Sequence, residues 1–243
     1  MSPTRTRTRS GGIALAAAGV LFVLYPATRP WHDEATRAGA AASMTSTWWV
    51  AAHLFAMLGF VLVGLGVLAL WQALTGTRSE GTAFAAVLTA WIGVGLTLPY
   101  YGAEDFGLQA IAGRAASGNE FDLLATVNDV RYHPAAITSF GIGLVLLAAA
   151  GTLAAVAVWR CGLLPPAAGV PAAAGFVLFL PQFFTGPAIR IGHGVLLGAG
   201  LLWLGLALTR LANSSTTSRT APRAIGLRSR QQVPDSGVRL QSR

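Results

Sequence analysis

Six apolar stretches recur along the 243 residues, each bounded by charge, proline or a Gly/Ser/Thr cluster. They cover residues 11–25, 48–74, 82–100, 135–159, 163–184 and 187–209. A helix needs about 20 apolar residues to cross the hydrocarbon core of a bilayer, and all but the first run approach or exceed that length. The expected fold is therefore all-α: a polytopic membrane protein with six transmembrane helices over residues 11–209, a basic N-terminus at 1–10, and a Ser/Thr/Arg-rich tail at 210–243 expected to be disordered. Composition agrees. Charged residues make up 11% of the chain, against roughly 25% in a soluble domain, too few to coat a globule. Disorder of the whole chain is excluded by the 53% hydrophobic content, since disordered chains are poor in apolar residues and rich in charge.

The net charge of +8 reads differently once it is divided by topology. All 17 basic residues are arginines. With both termini cytoplasmic, twelve arginines and two acids lie inside, and five arginines and seven acids lie outside. Arginine bias in the loops sets orientation, so the expected location is the plasma (inner) membrane, with the first run an uncleaved signal-anchor. The arginine-only, alanine-rich composition is that of a high-GC bacterial chain. The tail arginines would meet an anionic inner leaflet, each contributing about 1 kcal/mol. Without aromatic interleaving, no nucleic acid is expected as a partner.

Smaller signals fit helices packed in lipid. Gly194 with Gly198 and Gly151 with Ala155 have the small-xxx-small spacing that lets backbones approach. Trp48 and Trp49 fall at the outer boundary, and Trp71 and Trp159 at the inner one, as in interfacial belts. Pro171 sits inside the fifth run, where it should kink the helix. Cys161 is alone, so no intramolecular disulfide exists, and it reads as a small residue at a helix end.

The outer loop at 101–134 is too long for a turn. Leu108, Ile111, Ala112 and Ala115 recur at helical spacing, as do Leu123, Val127 and Val130, with Gly118 and Asn119 between. Two short amphipathic helices are expected there. Depth then brings distant residues together. His53 lies five residues into a descending span and His193 six residues into another, about 7–9 Å along the axis. Glu104 and Asp105 follow an ascending span, and His133 precedes the next. Asp129 stands four residues before His133, on one face if the helix continues, and Arg190 lies at the same level.

Ionisable groups at membrane depth usually face a bundle interior or a water-filled cavity. His53, His133, His193, Glu104 and Asp105 thus form a candidate metal set, with Asp129 and Arg190 as further cavity candidates. Imidazoles suit transition metals, and two from different helices could ligate haem iron. No HExxH, CxxCH, GxSxG or glycine-rich phosphate motif is present. The chain is accordingly expected to be a non-catalytic small transporter, sensor or accessory subunit with an outward-facing His/carboxylate cavity. The alternative is a metal- or haem-binding oxidoreductase, or a metal-dependent membrane enzyme, using the same cluster.

Overall fold

The computed structural model describes residues 3–214, and these are helical almost throughout. Five helical stretches are long and apolar enough to cross a membrane. They begin with α1 (Pro3–Thr28), α3 (Thr47–Ala73) and the stretch Glu80–Ala116, which opens with α4 (Glu80–Gly102). Two more, α7 (Pro134–Cys161) and α9 (Pro187–Ser214), follow. The shorter helices are α2 (Arg37–Met44), α5 (Leu108–Ala116), α6 (Leu123–Arg131) and α8 (Val170–Val177).

Local chemistry sets the ends of these helices. Ser46 caps α3 through a Trp48 N–H donated to its hydroxyl at 3.2 Å. Asp122 caps α6 by accepting from Ala125 N at 3.0 Å, the role short polar side chains fill at orphaned N–H groups. Cys161 ends α7 as expected, followed by Gly162 at φ 70°, a left-handed stop that glycine adopts without strain.

The expected fifth span is not a continuous helix. A 3₁₀ turn at Pro166–Gly169 leads into the eight residues of α8, and a second 3₁₀ turn occupies Pro181–Phe184. Pro165, Pro166, Pro171 and Pro181 fall within this stretch, and each removes a backbone donor. Pro171 does not kink a long helix. It stands in the first turn of α8, where its fixed φ is suited to helix initiation. At the other end of the chain α9 runs to Ser214, so Arg210 is helical rather than part of a tail. The expected tail otherwise lies outside the described residues, as do the first two residues of the N-terminus. Arg5, Arg7 and Arg9 are already within α1.

The helices close a ring in the order α1, α3, α4, α7, α8, α9 and back to α1. Close approach depends on absent side chains. A Cβ on Gly198 of α9 would fall 2.6 Å from the Gly19 carbonyl of α1, and one on Gly93 of α4 would fall 2.9 Å from the Gly143 carbonyl of α7. Gly194 meets Pro26 of α1 in the same way, and Gly151 lies against Phe176. The middle of the ring is packed. A void of about 20 Å³ among Leu15, Val63, Leu147 and Leu201 is room for about one water, and its lining is apolar. Outward faces carry exposed Leu58, Leu65, Trp91, Val145 and Trp203, the inverse of a soluble surface. The class so defined is a helical, membrane-embedded bundle.

One end of the ring is capped by residues 29–46 and 103–133 together with the crossing at 178–187. A short π-helical turn, Ala103–Gly107, joins α4 to α5. Leu108 and Ala112 of α5 and Leu123 and Val127 of α6 bury against Ala40, Met44 and Trp49. Trp49 is fully buried under this cap rather than lying in a belt, whereas Trp48 and Trp159 are exposed.

Candidate functional site

Beneath the cap lies a cavity of about 530 Å³, within the roughly 300–1,000 Å³ of small-molecule sites. Its floor is aromatic. The Tyr25 ring stands 5.7 Å from His53 and 5.8 Å from Tyr101, and Phe60 closes from below at 5.5 Å from Tyr101. One wall is apolar, with Ile137, Phe140 and Gly141 from α7 facing Leu180, Phe183, Phe184 and Pro187 from the crossing.

Charge lines the roof. Arg29 donates to Glu34 Oε1 at 2.6 Å, and Arg131 reaches Glu34 Oε2 at 2.8 Å. Arg131 also grips Glu104 with two parallel bonds, Nε to Oε1 at 2.7 Å and Nη2 to Oε2 at 3.0 Å. This is the bidentate geometry at which a guanidinium excels. Burial would raise the Glu34 pKa, but Arg29 and Arg131 outweigh it and hold the carboxyl below its ordinary value of 4.5. Burial opposes the charge of Arg131 as well, and Glu104 and Glu34 overcome it, raising the guanidinium pKa. Trp49 anchors the network from below: its Nε1 donates to the Glu104 carbonyl at 2.8 Å, and the Arg29 guanidinium lies 4.7 Å over its ring.

Arg190 is held differently. Its guanidinium sits 4.8 Å over Trp31 and 5.0 Å over Phe183, with Nε donating to Gln182 Oε1 at 3.1 Å. Among the described residues no carboxylate lies within ion-pair distance of it.

The residues expected to share a metal are dispersed. His53 and Glu104 line the cavity. His53 donates from Nδ1 to the Trp49 carbonyl at 2.7 Å; a carbonyl only accepts, so the proton is on Nδ1 and Nε2 remains. His193 faces a separate slot of about 10 Å³ across Tyr25, Trp31 and Arg190. It donates from Nε2 to the Gly175 carbonyl at 2.7 Å, its ring edge-on to Phe179 at 5.2 Å. Asp105 is fully buried in the π turn, and both its oxygens lack a hydrogen-bond partner. His133 is exposed at the start of α7. The helix carrying Asp129 stops at Arg131, because Pro134 drives the residue before it out of helical conformation, and so Asp129 and His133 share no helix face. Among the described residues no group of three or more His, Cys, Asp or Glu side chains comes together to hold a metal ion.

The residues missed by sequence reasoning are the ones that build the roof: Arg29, Glu34, Arg131, Trp31 and Trp49. Equal depth and opposite sign were visible for Glu34 and Arg131. Their pairing across 97 positions has no local signature.

No protein-family model matches the chain, and neither a curated protein nor a solved structure shows detectable similarity to it.

Proposed function

We propose that the protein is a non-catalytic membrane protein, a small transporter, sensor or accessory subunit, that holds a ligand in the cavity under its cap, and that this cap faces outward. One observation carries this: a 530 Å³ cavity roofed by arginines and carboxylates whose charges are committed to one another rather than left poised for proton transfer. The arginine distribution supports the orientation. The end opposite the cap carries Arg5, Arg7, Arg78, Arg160 and Arg210, and positive flanks stay inside. In this reading the incomplete crossing at 163–184 counts as the sixth pass, which keeps both termini on the cytoplasmic side.

Cysteine labelling tests it. Gly141 lines the cavity, and a Cβ there meets nothing within 4 Å, so Gly141→Cys is sterically free. In intact cells a membrane-impermeant maleimide should label Gly141→Cys, while the native Cys161 at the opposite end reacts only after permeabilisation. Labelling of Cys161 alone from outside would reverse the orientation. A stoichiometric metal or a Soret band in the detergent-purified protein, reduced in His53→Ala, would instead favour an oxidoreductase.

A further inference from the structure

We infer that the cavity takes an anionic amphiphile, with a carboxylate or phosphomonoester headgroup on Arg190 and its apolar tail against the wall between α7 and the 178–187 crossing. The inference rests on the ligand-holding role just proposed and names its ligand class.

Three arginines line the cavity. Arg29 and Arg131 are neutralised by Glu34 and Glu104. The remaining acid on the rim, Asp33, is exposed and accepts from Ala35 N at 3.1 Å within its own turn. Arg190 is left as the cation without a carboxylate among the described residues. It is also fixed in place: two rings and the nearly buried Gln182 define its plane. A guanidinium at membrane depth is costly without a counter-charge, and an incoming carboxylate or phosphate supplies one with two parallel hydrogen bonds.

The tail follows from the wall. Ile137, Leu180 and Phe184 are apolar, line the cavity, and are at the same time exposed at 41%, 36% and 85%. The cavity therefore opens sideways through a hydrophobic margin toward the surroundings of the bundle. A small inorganic anion would leave this margin unused. An acyl chain would cover it.

Binding of tritiated oleate to protein in phosphatidylcholine nanodiscs, corrected for empty discs, tests the inference. The expected result is saturable binding near one per chain, displaced by dodecyl phosphate but not by inorganic phosphate, and displaced at least about tenfold more weakly by oleyl alcohol. Arg190→Gln should weaken oleate about tenfold or more, as expected when a hydrogen bond to a charged group is lost, and Arg190→Lys should recover part of it. Gly141→Trp, projecting into the open space beside Gly141, should abolish binding. If Arg190→Gln does not fold, the alcohol comparison and Gly141→Trp decide. Equal displacement by oleyl alcohol, displacement by inorganic phosphate as effective as by dodecyl phosphate, or unchanged oleate binding in a folded Arg190→Gln protein would overturn the inference. So would the absence of saturable oleate binding. If Gly141→Cys still labels from outside, the outward cavity survives and only the ligand class fails.

Discussion

Arg131 and Glu104, 27 positions apart, form a two-pronged ion pair at 2.7 and 3.0 Å. The side chains are only 17% and 12% exposed, and Arg131 supplies the counter-charge of Glu104. The same guanidinium reaches Glu34 at 2.8 Å. Removing one partner of such a pair leaves a charge stranded in low dielectric. Arg131→Ala should therefore lower stability by on the order of 3 kcal/mol, read by denaturant titration in mixed micelles. Adding Glu104→Ala should cost less than the sum of the two single changes. Simple additivity would show that the pair is not coupled.

Glu34 gives the acid limb of stability its sign. Its folded pKa is depressed below 4.5 by Arg29 and Arg131, so folding favours the deprotonated form. The stabilisation is present in full above the ordinary value and is lost as pH falls through the depressed one. The melting temperature should thus hold steady from neutrality down to about pH 5 and fall below about pH 4. Glu34→Gln should be less stable at pH 7 and show a shallower fall. An unchanged acid slope in Glu34→Gln would assign that slope elsewhere.

Helix contact through glycine separates two substitutions of similar appearance. Leucine at Gly198 would drive a side chain into the Gly19 carbonyl and Val23 and should cost about 3 kcal/mol, as overpacking does. Gly95 has nothing within 4 Å of its would-be Cβ. Gly95→Ala should be neutral or stabilising by up to about 1 kcal/mol. Thermal unfolding of the two variants side by side checks this.

The two membrane histidines should behave independently. His193→Ala leaves the Gly175 carbonyl without its donor and should cost about 1–2 kcal/mol, with no change in the labelling rate of Gly141→Cys. His53→Ala opens the cavity floor and should speed that labelling. Their stability effects should add within about 0.5 kcal/mol, since they line separate compartments. A large coupling between them would restore the idea of a shared site.

Most of the helical framework was legible because lipid contact forces long apolar runs that no loop can imitate. The expected span at 48–74 corresponds to Thr47–Ala73, and 135–159 to Pro134–Cys161. The segment 163–184 misled because average hydropathy is blind to where backbone donors are missing; its prolines were the available signal. Leu108 and Ala112 of α5 and Leu123 and Val127 of α6 are buried. The site was legible only as a set of polar residues, of which His53 and Glu104 line the cavity. His53 and His193 line different compartments, with Tyr25, Trp31 and Arg190 lining both, and no spacing within one chain encodes their rotation around the bundle. Trp49 read as an interfacial anchor alongside Trp48, yet Trp48 is exposed and Trp49 buried; adjacent helical residues point about 100° apart, enough to send one outward and the other beneath the cap.

Glu34, Glu104 and Arg131 come from three separate stretches of chain, and Trp49 fastens them to α3. The cap is therefore a single stiff piece. The segment 178–187, which completes that end of the ring, is held by Arg190 to Gln182 and Thr185 to the Gln182 carbonyl, and by Phe179 and Phe183 packed on Phe22, Phe60 and Phe140. Such a chamber is walled on one side by ion pairs and on the other by aromatic rings. Its margin there is formed by Ile137, Leu180 and Phe184, apolar side chains that line the chamber and are exposed at its rim.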